Sequence, residues 1–233
     1  MRGLAEMYRQ KSPSTLPKTL LVLLHLSEVL AASWLLFGGG IQAVSAWVNL
    51  GAELGSPLRR ALLLGAAAVY FLRIMVTLFV FLKRRMGWAE AGTIAVWIGA
   101  LHLLFAFLGG RQTAPVGLVE VVGILFYLGG SYLNSGSEFQ RHAWKQQPQH
   151  RGQLYTDGLF RYAMHINYFG DLVLFTGWVL VAGRPVLLVV PMLMLLGFVF
   201  VNIPALDQYL AERYGEAFWA YAARTKKLIP FVY

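Results

Sequence analysis

The length of its apolar blocks constrains this chain more than any other feature. Residues 20–37, 61–82, 92–108, 116–133, 168–182 and 185–203 carry almost no charge. A helix needs about 20 such residues to cross roughly 30 Å of hydrocarbon. Charged residues make up 13% of the chain, against about a quarter in a soluble domain. The expectation is an all-α, polytopic membrane helical bundle of six to seven transmembrane helices plus a C-terminal interfacial helix, with residues 1–233 forming a single integral membrane domain. Block 168–182 is short, so its polar opening is expected at interface depth. Gly38 to Leu50, "GGGIQAVSAWVNL", reads as a re-entrant or seventh helix. The polar opening, with Arg2, Arg9, Lys11 and Lys18, shows no small-residue cleavage site, so the first block reads as a retained helix.

The charges set an expected topology. All Lys and Arg except Arg59, Arg60, Arg111, Arg184 and the intrahelical Arg73 fall in 1–19, 83–91, 134–167 and 204–233. With six crossings this bias puts those segments and both termini in the cytoplasm, in a bacterial inner membrane. The net charge of +9 then belongs to loops at an anionic membrane face, and no nucleic-acid partner is expected. Cysteine is absent, which excludes disulfides, thiolate nucleophiles and cysteine-ligated metals. No GxGxxG after a strand, GxxxxGK[ST], HExxH or GxSxG occurs, so no Rossmann or P-loop frame and no metal site is expected.

Ionisable groups inside membrane helices are costly and face a cavity or a partner. His25 and Glu28 share a face of the first helix, as Tyr70 and Arg73 do on the second; His102, Glu120 and Asp171 stand on the third, fourth and fifth. A structural reading pairs Arg73 with Glu28 or Glu120. On the side rich in Lys and Arg, Asn134, Ser137, Glu138, Arg141 and Lys145 make one polar stripe if the fourth helix continues past the headgroups. After a loop the stripe extends toward Arg161, Tyr162, His165, Asn167 and Tyr168. Guanidinium and ammonium groups suit phosphates, and Asn and Tyr suit an amide or ribose. Leu206, Tyr209, Leu210, Tyr214, Phe218 and Tyr221 recur near helical spacing, as in a surface helix broken at Gly215 that serves as an interfacial anchor or a lid.

Four segments carry a resemblance: "NSGSEFQRHAWK" (Asn134 to Lys145), "GLFRYAMHINYFGD" (Gly158 to Asp171), "YLAERYGEAFWAYAARTK" (Tyr209 to Lys226) and "KLIPFVY" (Lys227 to Tyr233). With a weaker match at Val69 to Arg85, the chain resembles the steroid 5-alpha-reductase C-terminal domain family in its bacterial, DUF1295-like branch. The resemblance implies NADPH-dependent reduction of a carbon–carbon double bond conjugated to a carbonyl, in a sterol or other lipid. Residues 1–115 would then form the substrate side and 116–233 the cofactor half. Carried over by position, Asn134, Ser137, Glu138, Arg141, Lys145, Tyr162, Asn167 and Asp171 fall on cofactor-binding or supporting positions, and Arg161, His165, Tyr168, Tyr209 and Arg224 stand in the matching segments. Tyr70 falls on the carbonyl-polarising tyrosine; the glutamate beside it is Glu28, with Glu53 as rival. The family's histidine run before the last helix is replaced by "IPALDQ" (Ile203 to Gln208), where Asp207 takes over part of that role. The chain is also similar to isoprenylcysteine and phospholipid methyltransferases, which would imply S-adenosylmethionine, although "MHINY" (Met164 to Tyr168) lacks their Arg and Pro. A non-enzymatic membrane protein on the same fold is the third reading.

Overall fold

Apolar side chains cover the outside of the helices as well as their contacts: Leu16, Trp47, Val96, Leu118 and Phe200 are all far out in the surroundings. Such a surface suits lipid rather than water. The computed structural model describes residues 12–233, and the expected polar start at Arg2, Arg9 and Lys11 lies outside the described residues. Helix α1 is Thr15–Phe37 and the short α2 is Gly40–Trp47. They are followed by α3 (Pro57–Val76), α4 (Trp88–Leu104), α5 (Leu118–Ser131) and α6 (Ser137–Gln146). The chain then forms α7 (Ile166–Ala182), α8 (Val189–Gly197), α9 (Ile203–Tyr214) and α10 (Glu216–Arg224). Wider π-type turns at Thr77–Phe81, Phe105–Gly109, Tyr132–Gly136 and Phe198–Asn202 extend α3 and α4 and join α5 to α6 and α8 to α9.

The expected six to seven crossings are corrected by this architecture. Among the described residues, five helices are long and apolar enough to cross a membrane: Thr15–Phe37, Pro57–Phe81, Trp88–Gly109, Leu118–Gln146 and Pro185–Tyr214. Helix α7 has 17 residues, about 25 Å at 1.5 Å per residue, less than the hydrocarbon thickness. It cannot lengthen, because an irregular segment precedes it and Gly183, at φ +64°, stops it in a left-handed turn. The Gly38–Leu50 stretch yields only the eight-residue α2, far too short to span. The last apolar block does not end at residue 203 either, since the π-type turn carries the helix on to Tyr214. The separate helix beyond it is therefore only α10, set off at Gly215 with φ +51°.

Helix α7 lies antiparallel against α5, and glycines let the backbones meet. A Cβ on Gly130 would fall 2.3 Å from Leu174 N, and one on Gly177 would fall 2.4 Å from Tyr127 N. The core between them and α1, α3 and α4 contains Leu36, Leu63, Ala67, Leu101, Phe105, Phe175 and Trp178.

The bundle has two unlike ends. At one, Lys18 Nζ donates to the Leu82 carbonyl at 2.7 Å, Ser14 Oγ accepts from Met86 N–H at 2.9 Å, and the chain between α6 and α7 meets α9 and the C-terminal segment. At the other, the four arginines that depart from the charge bias bond backbone carbonyls: Arg59 to Val181, Arg60 to Leu36, Arg111 to Gly51 and Arg184 to Leu108. Cations there satisfy carbonyls of helix ends and, for Arg111, of the loop after α2, which accounts for the exceptions in the charge pattern.

Candidate active site

Two groups of polar residues stand one above the other, joined by a single turn of α3. The deeper group lies among apolar side chains. His25 and Glu28 of α1 meet His102 of α4, with His25 Nε2 and His102 Nε2 3.4 Å apart. Both imidazoles are fully buried, and Glu28 is half-buried. Tyr70 of α3 stands beside the pair, its ring 5.8 Å from that of His25 and 6.1 Å from that of His102. Phe175 and Trp178 of α7 close the other side, at 5.4 and 6.0 Å. The helical spacing that puts His25 over Glu28 was readable, whereas their meeting with His102 depends on how α1 and α4 pack.

One turn further along α3, Arg73 opens the second group. Its guanidinium lies 5.9 Å from the centre of the Tyr70 ring. It donates to Asn134 Oδ1 at 2.7 Å and to Ser135 Oγ at 2.9 Å, and lies 3.6 Å from Asp171. The structural pairings with Glu28 or Glu120 are therefore not made. Glu120 instead binds Arg59 at 2.7 Å at the opposite end. Asn134 Nδ2 donates to the Asn167 carbonyl at 3.0 Å, Asn167 Nδ2 donates to Glu138 Oε1 at 3.0 Å, and Glu138 pairs with Arg141. Ser137 Oγ donates to the Asn134 carbonyl at 2.8 Å. Asn134, Ser137, Glu138 and Arg141 of the expected stripe thus stand on a helix that does continue, with Asn134 held by an arginine from another helix.

A third set continues this surface. His165 Nε2 lies 2.8 Å from Asp207 Oδ1, and Asp207 Oδ2 lies 3.3 Å from Lys227 Nζ. The His165 ring stacks on Tyr168, which stacks on Phe198. Asp207 also lines a groove of about 700 Å³ with Gln208, Trp219, Thr225, Lys226, Lys227 and Tyr233. Close by, Tyr221 donates to the Phe160 carbonyl at 2.6 Å, and burial pushes its phenol well above the usual range. It is a fixed neutral donor that ties α10 to the loop before α7.

The remaining expected residues make contacts around these groups. Arg161 donates to the Tyr162 hydroxyl at 2.5 Å, and Tyr162 meets Phe231 edge-on. Tyr209 accepts from Arg213, Lys145 donates to the Tyr214 hydroxyl at 3.3 Å, and Arg224 reaches Thr156 at 3.4 Å. Conversely, Arg73, Ser135 and Lys227 join the groups without having been expected there. For Arg73 the available signal was a guanidinium inside an apolar helix.

Fold and site together define a polytopic α-helical membrane protein with a buried titratable cluster beneath a polar face. The chain belongs to the family described as "Protein of unknown function (DUF1295)", which matches residues 90–225. That span takes in His102 and most of the polar face but leaves out His25, Glu28, Tyr70, Arg73 and Lys227. The chain is also similar to the Delta(14)-sterol reductase erg24 of Schizosaccharomyces pombe, at 29% identity over 154 residues. The similarity covers 59% of this chain and 36% of that protein. The steroid-reductase-like membership implied by the C-terminal motifs is borne out.

Proposed function

We propose that the protein is an NADPH-dependent reductase of a carbon–carbon double bond conjugated to a carbonyl, in a sterol or other lipid. The observation that carries this reading is the turn from Tyr70 to Arg73, which links a donor at membrane depth to a polar face of matching chemistry. The similarity to a sterol reductase supports it. The polar end is assigned to the cytoplasm, because the Lys and Arg residues gather there and a soluble dinucleotide arrives from that side.

The residues present fit such a cofactor. The groove is within the roughly 300–1,000 Å³ of small-molecule sites, and it offers Lys226 and Lys227 to phosphates and Trp219 and Tyr233 to rings. Arg73 Nη1 is buried without a partner, a donor left over in the network one turn from Tyr70. Asn134, Glu138, Arg141, Asn167, His165 and Asp207 would hold or brace the nucleotide, which supplies the hydride when bound. Tyr70 then donates a hydrogen bond to the carbonyl oxygen as negative charge develops there. Glu28 orients that end of the substrate or carries the proton that completes the reduction. Phe175 and Trp178 keep water away from the reacting bond.

The test is binding by the purified protein in detergent. NADPH should bind saturably and compete with NADP⁺, and a 3-oxo-4-ene steroid should consume it. Saturable S-adenosylmethionine binding without NADPH affinity would promote the methyltransferase reading instead.

A further inference from the structure

We propose that His25, Glu28 and His102 form a binding site for a divalent first-row transition ion, with zinc the expected occupant, held between α1 and α4. One ligand atom from each of the three residues lies within 4.8 Å of the others. His102 Nδ1 is 2.9 Å from the Ile98 carbonyl. A carbonyl only accepts, so the proton of that bond sits on Nδ1, and Nε2 of the neutral ring presents its lone pair. A backbone carbonyl behind the ring is the usual way a ligating imidazole is oriented.

The lone pair of His102 points at His25 Nε2, 3.4 Å away. Two imidazole nitrogens bound tetrahedrally to zinc at about 2.0–2.1 Å stand about 3.3 Å apart. Without an ion the protons do not balance. If His25 donates through Nε2, its Nδ1 becomes a buried acceptor, and that atom has no partner. If the proton sits on Nδ1 instead, two lone pairs face each other. Glu28 Oε2 is likewise buried without a partner, and among the described residues no Lys or Arg pairs with Glu28. The cluster has more acceptors than donors in an apolar setting, where unmatched polar groups are costly. A cation held by the two Nε2 atoms and Glu28 Oε2 satisfies those three acceptors, with the His25 proton then on Nδ1.

The surroundings leave room for it. Gly99 on α4 faces the carboxylate, where a Cβ would come within 3.0 Å of Glu28 Oε1. Glu28 is the ligand with partial exposure, so it marks the route of entry. Two histidines and one carboxylate leave a further position open, as in ions that polarise a bound oxygen rather than in closed structural sites. The ring of Tyr70 flanks the pair of imidazoles almost evenly. The inference does not rest on the reductase reading, since the site is defined by its ligands alone; with the ion bound, Glu28 is a ligand and not the proton carrier.

Tag-free protein in detergent is loaded with zinc or cobalt, desalted, and its metal counted by elemental mass spectrometry. About one ion per chain is expected, and occupancy should fall more than about tenfold in the His25→Ala/His102→Ala double variant. Tyr70→Phe should keep the ion even where it abolishes turnover. X-ray absorption at the zinc edge of the wild-type protein should show two imidazoles and a light-atom shell at about 2.0–2.1 Å, a result that does not depend on whether the double variant folds. Desalted wild-type protein without an ion would overturn the proposal. So would an all-oxygen shell, or full occupancy in the double variant.

Discussion

Arg73 of α3 donates to Asn134 Oδ1 at 2.7 Å, and Asn134 passes the contact on to the Asn167 carbonyl at 3.0 Å. Three helices are thereby fixed by one amide side chain. Asn134→Ala removes an acceptor from a charged donor, a bond worth about 1.5–3 kcal/mol, and leaves Arg73 with fewer partners. The melting temperature in detergent should fall. The rise in melting temperature expected from NADPH should shrink as well, because the network proposed to face the nucleotide has lost its order. A drop in stability with an undiminished NADPH shift would make the network purely structural.

Arg141 gives the complementary case. It pairs with Glu138, and the arginine side chain is 39% exposed while that of the glutamate is 11% exposed. Arg141→Ala should therefore lower the melting temperature only moderately, since Glu138 keeps its bond from Asn167 but loses its cation. If its guanidinium bonds a phosphate, the same change should weaken NADPH binding by about 1.5–3 kcal/mol, read directly from titration. Unchanged affinity would return Arg141 to the headgroup-facing arginines.

Neighbouring glycines on α5 should respond in opposite ways. A Cβ on Gly130 would fall 2.3 Å from Leu174 N and 2.5 Å from Gly170 O, while one on Gly129 meets nothing within 4 Å. Backbone atoms cannot move aside as a flexible side chain can. Gly130→Ala should cost about 1–3 kcal/mol or more through forced separation of α5 and α7. Gly129→Ala should be neutral or gain up to about 1 kcal/mol of helix propensity. Thermal unfolding of the two variants side by side decides it, and equal effects would refute the close packing.

At the opposite end, Glu120 holds the fully buried Arg59 at 2.7 Å and also accepts from Gly117 N–H at 2.7 Å. Removing one partner of a buried pair strands the other charge, at a cost of about 3–5 kcal/mol. Glu120→Ala should lower the melting temperature strongly. The nucleotide affinity of the folded fraction should not change, since the pair lies at the end away from the polar face.

Each feature was legible to the extent that it depends on local spacing. The apolar blocks announced the membrane helices, and the spacing of Asn134, Ser137, Glu138 and Arg141 announced one face of a helix that does continue past its apolar part. Crossing number was not legible in the same way. The length of an apolar block is not the length of a helix: Gly183 and the irregular chain before Ile166 cut α7 short, while the turn at Phe198–Asn202 prolonged the last helix. Long-range meetings were hidden altogether. Nothing near His25 signals His102, and nothing near His165 signals Asp207, because those contacts are set by packing. Arg161 and Tyr162, near one another in sequence, also meet in space, and Tyr162 packs against Phe231 of the C-terminal segment.

The sharpest test falls on Tyr70, which is held between His25, His102, Phe175 and Trp178 and is itself largely buried. Those contacts are made by its ring, so they serve packing whether or not the hydroxyl has a chemical role. Tyr70→Phe keeps the ring and removes only the hydroxyl. As a donor to charge developing on a carbonyl oxygen, that hydroxyl should be worth roughly 2.7–4 kcal/mol in the transition state, about a hundredfold or more in turnover. NADPH affinity should be almost unchanged, because the nucleotide is assigned to the polar face beyond Arg73. Bound metal should be unchanged too, since the tyrosine flanks the ligands without being one of them. A purely structural hydroxyl would instead show as a melting temperature lowered by the equivalent of about 1 kcal/mol, with near-normal turnover of the surviving enzyme. Turnover and melting measured on one preparation separate these outcomes, and the second would leave the carbonyl to the Glu28 side of the cluster.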